Sequence, residues 1–174
     1  MSAEEIYNLL KEKFGDSILE MVSDVPTESI ISVNPLQINV VCEFLRDSEK
    51  LQFNSLMNLS GVDDDNSSKV TNEDGTVSIS GGTLTVYYHL DSTILKHKIT
   101  LKVSTEKDKP EVESVTSIWH SANWHEREAY DMYGFIFLNH PDLTRILMPY
   151  DWEGFPLRKD YENPEFYEGM KIPY

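Results

Sequence analysis

The segment "TLTVYYHLDSTILKHKITLKV", Thr83 to Val103, indicates the fold class of this chain more clearly than any other stretch. Its two ends, Thr83–Leu90 and Lys96–Val103, are rich in β-branched and aromatic residues, which favour strands. The short run "DSTIL" between them has a length suited to a hairpin connection. The two ends are therefore predicted to form an antiparallel pair of strands.

A helix and a strand are predicted near the N-terminal end of the chain. Ser2 is a suitable N-cap, and Glu5 three residues later completes the pattern of a capping box. The helix is expected over residues 3–14, because Gly15 would end it. "SIISVNP", Ser29–Pro35, alternates weakly between apolar and polar residues and is predicted to be a strand.

The next elements are a second helix and a buried strand. The helix is predicted to begin at Asn34 and Pro35 and to continue through "LQINVVCEFLRDSE". Its apolar positions at helical spacing are Leu36, Val40 or Val41, Phe44 and Leu45. "FNSLMNLSGVD", Phe53–Asp63, is predicted to be a strand turned by Gly61. The polar stretch from Asp63 to Gly82 is expected to be an exposed loop, with a small hairpin at its base.

The last third of the chain changes character after a third helix. That helix is predicted from about Asn123 to Met132, after a short strand or turn, and Gly134 would end it. Prolines at 141, 149, 156, 164 and 173 exclude a long helix or a central strand beyond it. Aromatic and aliphatic residues remain frequent there, so this irregular segment needs a surface on which to lie.

These signals together predict an α+β fold. Residues 1–133 are expected to form a domain with a small mixed or antiparallel sheet and two or three helices. Residues 134–174 are expected to form a long extended C-terminal tail, which could reach far onto a neighbour at about 3.3 Å per residue.

Composition excludes several classes of partner. The chain has 174 residues, with 30 acidic and 15 basic residues and a net charge of −15. That balance disfavours binding to nucleic acid and adhesion to anionic lipid, both of which need a basic surface. No run approaches the roughly 20 apolar residues of a membrane span, and no signal peptide is expected. Cys42 is the single cysteine, so disulfides and cysteine-rich metal sites within the chain are excluded.

The densest polar motif is "HEREAYDMYG", from His125 to Gly134. Neither this motif nor the acidic stretch before it matches the spacing of a known metal site. His120 and His125 are five apart, whereas the zinc-protease helix places two histidines four apart, and "HEREA" has Ala129 at that second place. The acidic stretch from Asp63 to Asp74 lacks the glycine that a calcium-binding loop needs at its sixth position. It is interpreted as a solvated loop.

Nucleophilic and nucleotide-binding motifs are also lacking in the sequence. It contains no G-x-S-x-G elbow, no G-x-G-x-x-G and no phosphate-binding G-x-x-x-x-G-K-[ST]. Cys42 lies on the apolar side of its predicted helix and is interpreted as an inert buried thiol.

The motif is better explained as a helix that forms ion pairs. Arg127 and Asp131 are four residues apart, and His125 and Glu128 are three apart, so each pair is predicted to face each other, while Glu126 falls beside Tyr130. Exposed pairs contribute only about 0.3–0.5 kcal/mol each, so their density suggests partly buried charges that hold neighbouring segments in register. The candidate neighbours are Arg145, Arg158, Lys159 and Asp160.

The stretch "ANWHEREAYDMYGFIFLNHPDLTRILMPYDWEGFPLRKDY", Ala122 to Tyr161, closely resembles the 30 kDa subunit of respiratory complex I, known as the C subunit in the bacterial enzyme. The resemblance rests on "ERE", "DMYG", "HPDL.RIL" and "DWEG.PLRKDY" in that order and spacing. Thr144 stands where many members have a second arginine, and the loop from Asp63 to Gly82 is longer than expected. Little chain follows Tyr161.

The resemblance implies a structural function, in the assembly of a larger complex. Such subunits are non-catalytic structural parts of the hydrophilic arm of a proton-pumping NADH:quinone oxidoreductase. They pack against the 49 kDa-type subunit, which is similar to the large subunit of nickel–iron hydrogenase, near iron–sulfur subunits and the quinone module. FMN, iron–sulfur clusters and quinone are expected in those partners and no cofactor in this chain. The protein is expected to be peripheral on the cytoplasmic side of the membrane, or on the matrix or stromal side in an organelle.

On this basis the polar motif is expected to act as a clamp for assembly. Glu126, Arg127, Glu128 and Asp131 would hold the helix against the tail. His140, Asp142 and Arg145 would fix the turn that follows it. The expected docking contacts are Trp152, Leu157, Arg158, Lys159 and Asp160.

Two alternatives remain open at the level of sequence. The chain is also compatible with the equivalent subunit of a ferredoxin-dependent complex of the same type or of a membrane-bound hydrogenase, and its shortness favours such a reduced version. A stand-alone metal-dependent hydrolase, using His120, His125 and nearby carboxylates, is the alternative from a different class.

Overall fold

The computed structural model describes residues 1–23, 28–71 and 77–172. In chain order its elements are helix α1 (Ala3–Phe14), a 3-10 turn (Gly15–Ser17), strands β1 (Ile18–Val22) and β2 (Ile30–Val33), helix α2 (Ile38–Asp47), strands β3 (Ser55–Asp63), β4 (Ser68–Thr71), β5 (Val77–Ser80), β6 (Thr83–Ser92), β7 (His97–Glu106) and β8 (Glu111–Glu113), helix α3 (Ala122–Tyr133), and strands β9 (Ile136–Leu138), β10 (Phe166–Tyr167) and β11 (Met170–Lys171).

A mixed sheet of five strands forms the centre of the fold, in the order β1-β2-β7-β6-β3. Strands β6 and β7 pair antiparallel along their full length, from Thr83 opposite Glu106 to Ser92 opposite His97, which confirms the predicted hairpin. Strand β3 pairs antiparallel with β6, and β2 pairs parallel with β7. Together with three helices, this sheet confirms the predicted α+β class.

Helix α1 forms as its sequence predicts. The Ser2 hydroxyl accepts a hydrogen bond from the Glu5 backbone N–H, and the Glu5 carboxylate accepts one from the Ser2 N–H, so both halves of the capping box are present. Gly15 ends the helix at a φ of 54°, and Ile6 and Leu10 are buried against the sheet core. Strand β1 was not predicted, because only Ile18 of its five residues is buried.

Helix α2 begins later than predicted. The Asn34 side chain accepts a hydrogen bond from the Leu36 N–H at 3.0 Å, which makes a turn there instead of a first helical turn. Leu36 and Val40 are exposed, so the apolar stripe of α2 is instead Ile38, Val41, Cys42 and Leu45. Cys42 is buried as predicted, and burial raises the pKa of its thiol.

Gly61 lies within β3, opposite Val86, so the prediction that it turns the strand is wrong. A side chain at this position would collide with the last residue of α3, Tyr133, and with Phe135 beyond the helix. A Cβ there would lie 2.8 Å from Tyr133 Cδ2 and 3.0 Å from Phe135 Cε2. The glycine therefore allows the end of α3 to approach the backbone of β3.

Strands β4 and β5 form the predicted hairpin within the polar stretch. Residues 72–76, including Asp74 of the acidic pattern, lie outside the described residues. Within the described ranges, no helix has the length and apolar character that crossing a membrane requires.

Helix α3 connects two short parallel strands, β8 and β9. Its bounds match the prediction within one residue at each end, and Gly134 ends it in the left-handed conformation, with its N–H bonded to the Tyr130 carbonyl. Strand β9 was not predicted. It brings Phe135 and Phe137 into the core, so we use the term C-terminal segment for residues 139–172 only.

The C-terminal segment contains one element of regular structure in its described part, the hairpin of β10 and β11. The remaining residues lie as turns and irregular chain along the end of α3 and β3, as the prolines require. Side chains of α3 and β3 hold them there, through the contacts described next.

Candidate functional site

Asp131, near the end of α3, holds the start of the C-terminal segment. Its carboxylate is buried. Oδ2 accepts hydrogen bonds from three consecutive backbone N–H groups, those of Ile146 (2.9 Å), Leu147 (2.7 Å) and Met148 (3.0 Å). Burial alone would raise the pKa of Asp131, but these bonds and the Arg145 guanidinium outweigh it and hold the pKa below its usual range. The carboxylate therefore fixes a turn of the chain while it is charged.

Arg145 connects Asp131 to a later part of the same segment. Its Nη1 donates to Asp131 Oδ1 at 2.7 Å and to the Asp131 carbonyl at 3.2 Å. Its Nη2 donates to the Gly154 carbonyl at 3.0 Å, and the guanidinium lies 5.4 Å from the centre of the Phe155 ring. One side chain thus joins the helix to two turns of the segment.

Asp63, the last residue of β3, is a second anchor, which the sequence analysis missed. Its Oδ2 lies 2.7 Å from Lys107 Nζ and accepts a hydrogen bond from the Lys159 backbone N–H at 2.9 Å. Its Oδ1 accepts from the Asp65 N–H at 3.0 Å. Burial would raise the pKa of Asp63, but the bonds from Lys107, Lys159 and Asp65 hold it below its usual range.

The interpretation of Asp63 as part of a solvated loop is therefore wrong. Asp63 and Lys107 are both buried, with Lys107 on the turn after β7. The only signal for Asp63 in the sequence was its position directly after an apolar strand. Nothing local linked it to Lys107 or to Lys159, which is 96 residues away.

Glu126 was expected to hold α3 against the C-terminal segment, but both of its hydrogen bonds go to the turn that follows β8. Its carboxylate is buried there. Oε1 accepts from the Val115 N–H at 2.8 Å, and Oε2 accepts from the Ser114 hydroxyl at 2.7 Å. Burial raises the pKa of Glu126 to about 7, although both hydrogen bonds act in the opposite direction.

Arg127 also differs from the prediction. It does not pair with Asp131, which is occupied by Arg145. Instead its Nε donates to the Thr144 carbonyl at 3.1 Å and its Nη2 to the Thr144 hydroxyl at 2.9 Å, with the guanidinium 5.1 Å from the Trp124 ring. Thr144, the departure from the family pattern, is thus a direct contact between α3 and the segment.

The predicted pair of His125 and Glu128 is also wrong. The contacts of the described chain include no ion pair or hydrogen bond between these two side chains, and Glu128 is exposed. Glu128 therefore does not hold the C-terminal segment.

His140 and Asp142 shape the turn after β9. The Asp142 backbone N–H donates to His140 Nδ1 at 3.0 Å, while His140 Nε2 lies 3.4 Å from the Asn123 carbonyl. Burial lowers the pKa of His140, and the nearby Arg127 adds to that effect. The ring is therefore neutral at pH 7, and the exposed Asp142 carboxylate takes no part in the turn.

The residues expected as docking contacts face in two directions. The Leu157 N–H donates to the Met132 carbonyl at 3.1 Å, and Arg158 Nε donates to the Tyr133 carbonyl at 2.6 Å. The backbone N–H groups of Leu157 and Lys159 and the side chain of Arg158 therefore face the domain, whereas Leu157 and Lys159 are exposed residues. The Asp160 carboxylate is partly exposed and lies 3.7 Å from Lys107 Nζ. Trp152 is half-buried and donates from Nε1 to the Tyr161 hydroxyl at 3.0 Å.

Several large apolar side chains of the segment point away from the domain. We call them the outer face of the C-terminal segment: Leu147, Tyr150, Leu157, Phe166 and Met170. Tyr150 is 93% exposed and Met170 is 65% exposed. This segment thus contributes several of the large exposed apolar side chains of the described chain. A contiguous patch of such side chains is a mark of an interaction site.

The polar groups described above act as hydrogen-bond acceptors and donors within the chain. In the part of the chain that the structure describes, no three His, Cys, Asp or Glu side chains are grouped so that they could hold a metal ion. Charged side chains on α3 and β3 thus fix the path of the C-terminal segment.

Comparisons with known proteins show the family of this chain. Residues 31–167 match the family model described as the 30 kDa subunit of respiratory-chain NADH dehydrogenase. The C subunit of NADH-quinone oxidoreductase from Chloroherpeton thalassium is 42% identical over 174 residues, which cover 98% of this chain and 65% of the relative. The corresponding protein of Chlorobium phaeobacteroides is 42% identical over 169 residues, with 97% and 93% of the two chains covered.

Two solved structures share the fold at low sequence identity. The trypsin-resistant fragment (1–134) of Nqo5 has a TM-score of 0.53 and 22% identity, and covers 78% of this chain and 97% of its own. A chain of the membrane-bound sulfane sulfur reductase, an archaeal respiratory membrane complex, has a TM-score of 0.66 and 20% identity, with 91% and 85% of the two chains covered.

Proposed function

Because the chain belongs to the family of the 30 kDa subunit of respiratory-chain NADH dehydrogenase, we propose that it is a structural subunit of an NADH:quinone oxidoreductase. It does no redox chemistry itself and acts in assembly of the hydrophilic arm, on the cytoplasmic face of the membrane or its organellar equivalent. The C-terminal segment is the part that docks.

The observation that carries this proposal is that the backbone of the segment is bound to the domain while its large apolar side chains are exposed. Its backbone N–H groups at residues 146–148 and 159 are bound by Asp131 and Asp63 of the chain's own domain. The outer face is left exposed. A binding surface whose backbone is already fixed loses less conformational entropy when it meets a partner.

The partner that we propose is the 49 kDa-type subunit, which is similar to the large subunit of nickel–iron hydrogenase, together with neighbouring iron–sulfur subunits. FMN, the iron–sulfur clusters and quinone belong to those chains. The relatives of this chain are named as subunits of an NADH-quinone oxidoreductase, which supports the choice of complex.

The test is purification from native membranes through a tag on this chain, with identification of the chains that accompany it. Wild-type chain is expected to bring the hydrogenase-like and iron–sulfur subunits in a fixed ratio, and an NADH-oxidising module with them. A ferredoxin-dependent complex would give the first group without that module. Wild-type chain recovered alone would contradict the proposal.

The variant that tests the docking surface is Tyr150→Ala combined with Leu157→Ala. Both side chains belong to the outer face, so the domain is expected to fold while the yield of partner subunits falls at least about tenfold, as removal of buried interface anchors does. Leu19→Ala is the matched control, because Leu19 is 56% exposed on β1, outside the segment. Replacing Arg158 and Lys159 is less informative, since Arg158 also binds the Tyr133 carbonyl.

A further inference from the structure

Glu126 is a carboxyl group enclosed by several elements of the domain. It is 0% exposed. Cys42 of α2, Tyr88 of β6 and His140 after β9 face it, with His140 Nε2 4.0 Å from its Oε2. No lysine or arginine pairs with Glu126 among the described residues. A buried carboxylate without a cationic partner is costly and tends to bind a proton.

None of the three titratable neighbours carries a compensating charge at neutral pH. Burial raises the pKa of both the Cys42 thiol and the Tyr88 hydroxyl, so both remain protonated and uncharged. Burial lowers the pKa of His140, so its ring is neutral. Glu126 is therefore the group of this cluster that changes charge near pH 7.

The hydroxyl groups beside Glu126 can satisfy it in both charge states. Ser114 Oγ lies 2.7 Å from Glu126 Oε2 and 2.8 Å from Thr116 Oγ1, and it accepts from the Thr116 backbone N–H at 3.2 Å. With Glu126 ionised, Ser114 donates to the carboxylate and Thr116 donates to Ser114. With Glu126 protonated, Oε2–H donates to Ser114, which then donates to Thr116.

This reversal of two hydroxyl groups costs no hydrogen bond in either state. The Val115 N–H donates to Oε1 at 2.8 Å in both. Thr116 lies at the surface end of the chain of hydroxyls, where it lines a cleft with Ser117, His120 and Asn123. The cleft gives solvent protons access to the Thr116 end.

We propose that Glu126 is a proton-binding site, which takes one proton from solvent at neutral pH and is served by the reversible hydroxyl pair of Ser114 and Thr116. The rise of its pKa to about 7 through burial agrees with this assignment. The site belongs to the domain itself and does not depend on the docking function of the C-terminal segment.

The test is a carbon NMR titration of the side-chain carboxyl groups in the full chain labelled at glutamate, from about pH 5 to pH 9. One carboxyl resonance is expected to titrate with a midpoint near 7, far above exposed glutamates. It should be lost in Glu126→Gln, whose amide can donate to Ser114 as the protonated acid does. It should persist in Glu128→Gln, an exposed position on the same helix.

Thr116 supplies a second test that leaves Glu126 in place. Thr116→Val removes one hydrogen bond in each charge state, but the two losses are unequal. With Glu126 ionised, Ser114 Oγ still accepts from the backbone N–H of residue 116, whereas with Glu126 protonated the Ser114 O–H is left without an acceptor. The midpoint is therefore expected to fall, by up to roughly one pH unit. Thr116→Ser retains the hydroxyl and is expected to retain the midpoint. A carboxyl at Glu126 that stays ionised down to pH 5, or a midpoint that Thr116→Val leaves unchanged, would overturn the proposal.

Discussion

Asp131 shows how one carboxylate can determine the path of an irregular segment. Three consecutive N–H groups that no helix or sheet satisfies point at one of its oxygens, and Arg145 binds the other. A charged acceptor makes these bonds stronger than neutral ones. The turn at residues 145–148 therefore depends on a charge that lies on a different element.

We expect Asp131→Asn to destabilise the chain by about 3 kcal/mol, because it leaves Arg145 without its buried partner. Amide hydrogen exchange at Ile146, Leu147 and Met148 should become faster than elsewhere in the fold, since their acceptor is weakened. Urea unfolding and exchange measured by NMR would check both effects.

Asp142→Asn is the matched control for this prediction. Asp142 belongs to the same segment, but the residue is exposed and its hydrogen bonds are made by its backbone N–H and carbonyl groups. A change within about 0.5 kcal/mol is expected there, as for most surface substitutions. Equal effects of the two substitutions would show that Asp131 does not hold the turn.

Sequence reasoning identified Asp131 and Arg145 but paired them incorrectly. The rule that compares residues four apart on a helix selected Arg127 for Asp131, whereas the real partner follows after β9. The same limit hid Asp63 and Lys107, whose contact joins two strands and the C-terminal segment. Spacing along a helix shows which charged residues share a face. The partners that they bind are determined by tertiary packing, which the spacing does not contain.

At the scale of elements, the contact of α3 with β3 depends on the missing side chain at Gly61. We expect Gly61→Ala to destabilise the fold by about 1–3 kcal/mol, the usual cost of overpacking, because its Cβ would lie 2.8 Å from the Tyr133 ring. The free energy of unfolding in urea is the measurement.

A double variant separates this collision from a general effect of alanine on the strand. Tyr133→Leu removes the ring, so Gly61→Ala in that background should cost much less than in the wild type. If the two losses simply add, the close approach of α3 to β3 is not the reason for the glycine.

Elements with long periodic patterns were predicted well from the sequence, whereas some of the short strands were missed. The hairpin of β6 and β7 and the helices α1 and α3 have ten or more residues each, and their capping and alternation signals are local. Strands β1 and β9 have five and three residues, and they form because a neighbouring strand is already in place. No pattern in their own residues contains that information.

The whole molecule combines buried carboxyl groups whose contributions to stability depend on pH in opposite directions. Glu126 has a raised pKa, from 4.5 to about 7, so its contribution is complete below pH 4.5 and is lost as pH rises through 7. Asp63 and Asp131 have lowered pKa values, so their contributions are present above 3.8 and are lost on further acidification. Stability should therefore be greatest on the acid side of neutrality, between these two limits.

We expect the free energy of unfolding to fall by up to about 3 kcal/mol from pH 4.5 to above pH 7, at roughly 1.4 kcal/mol per pH unit. Glu126→Gln should remove most of that slope, whereas Glu128→Gln should retain it. Denaturant titrations at several pH values would measure this. A wild-type profile that rises steadily towards pH 8 would contradict the assignment of the slope to Glu126.

The bond from the Lys159 N–H to Asp63 spans 96 residues, and it has a consequence for the order in which the protein is made. On the ribosome, Asp63 emerges long before the amide that satisfies it. A nascent chain that has folded its sheet still carries two acids, Asp63 and Asp131, without their last donors. Only synthesis of residues 146–159 supplies them. A chain that stops before residue 146 would therefore leave both carboxylates without these donors, next to the surface that we propose for docking.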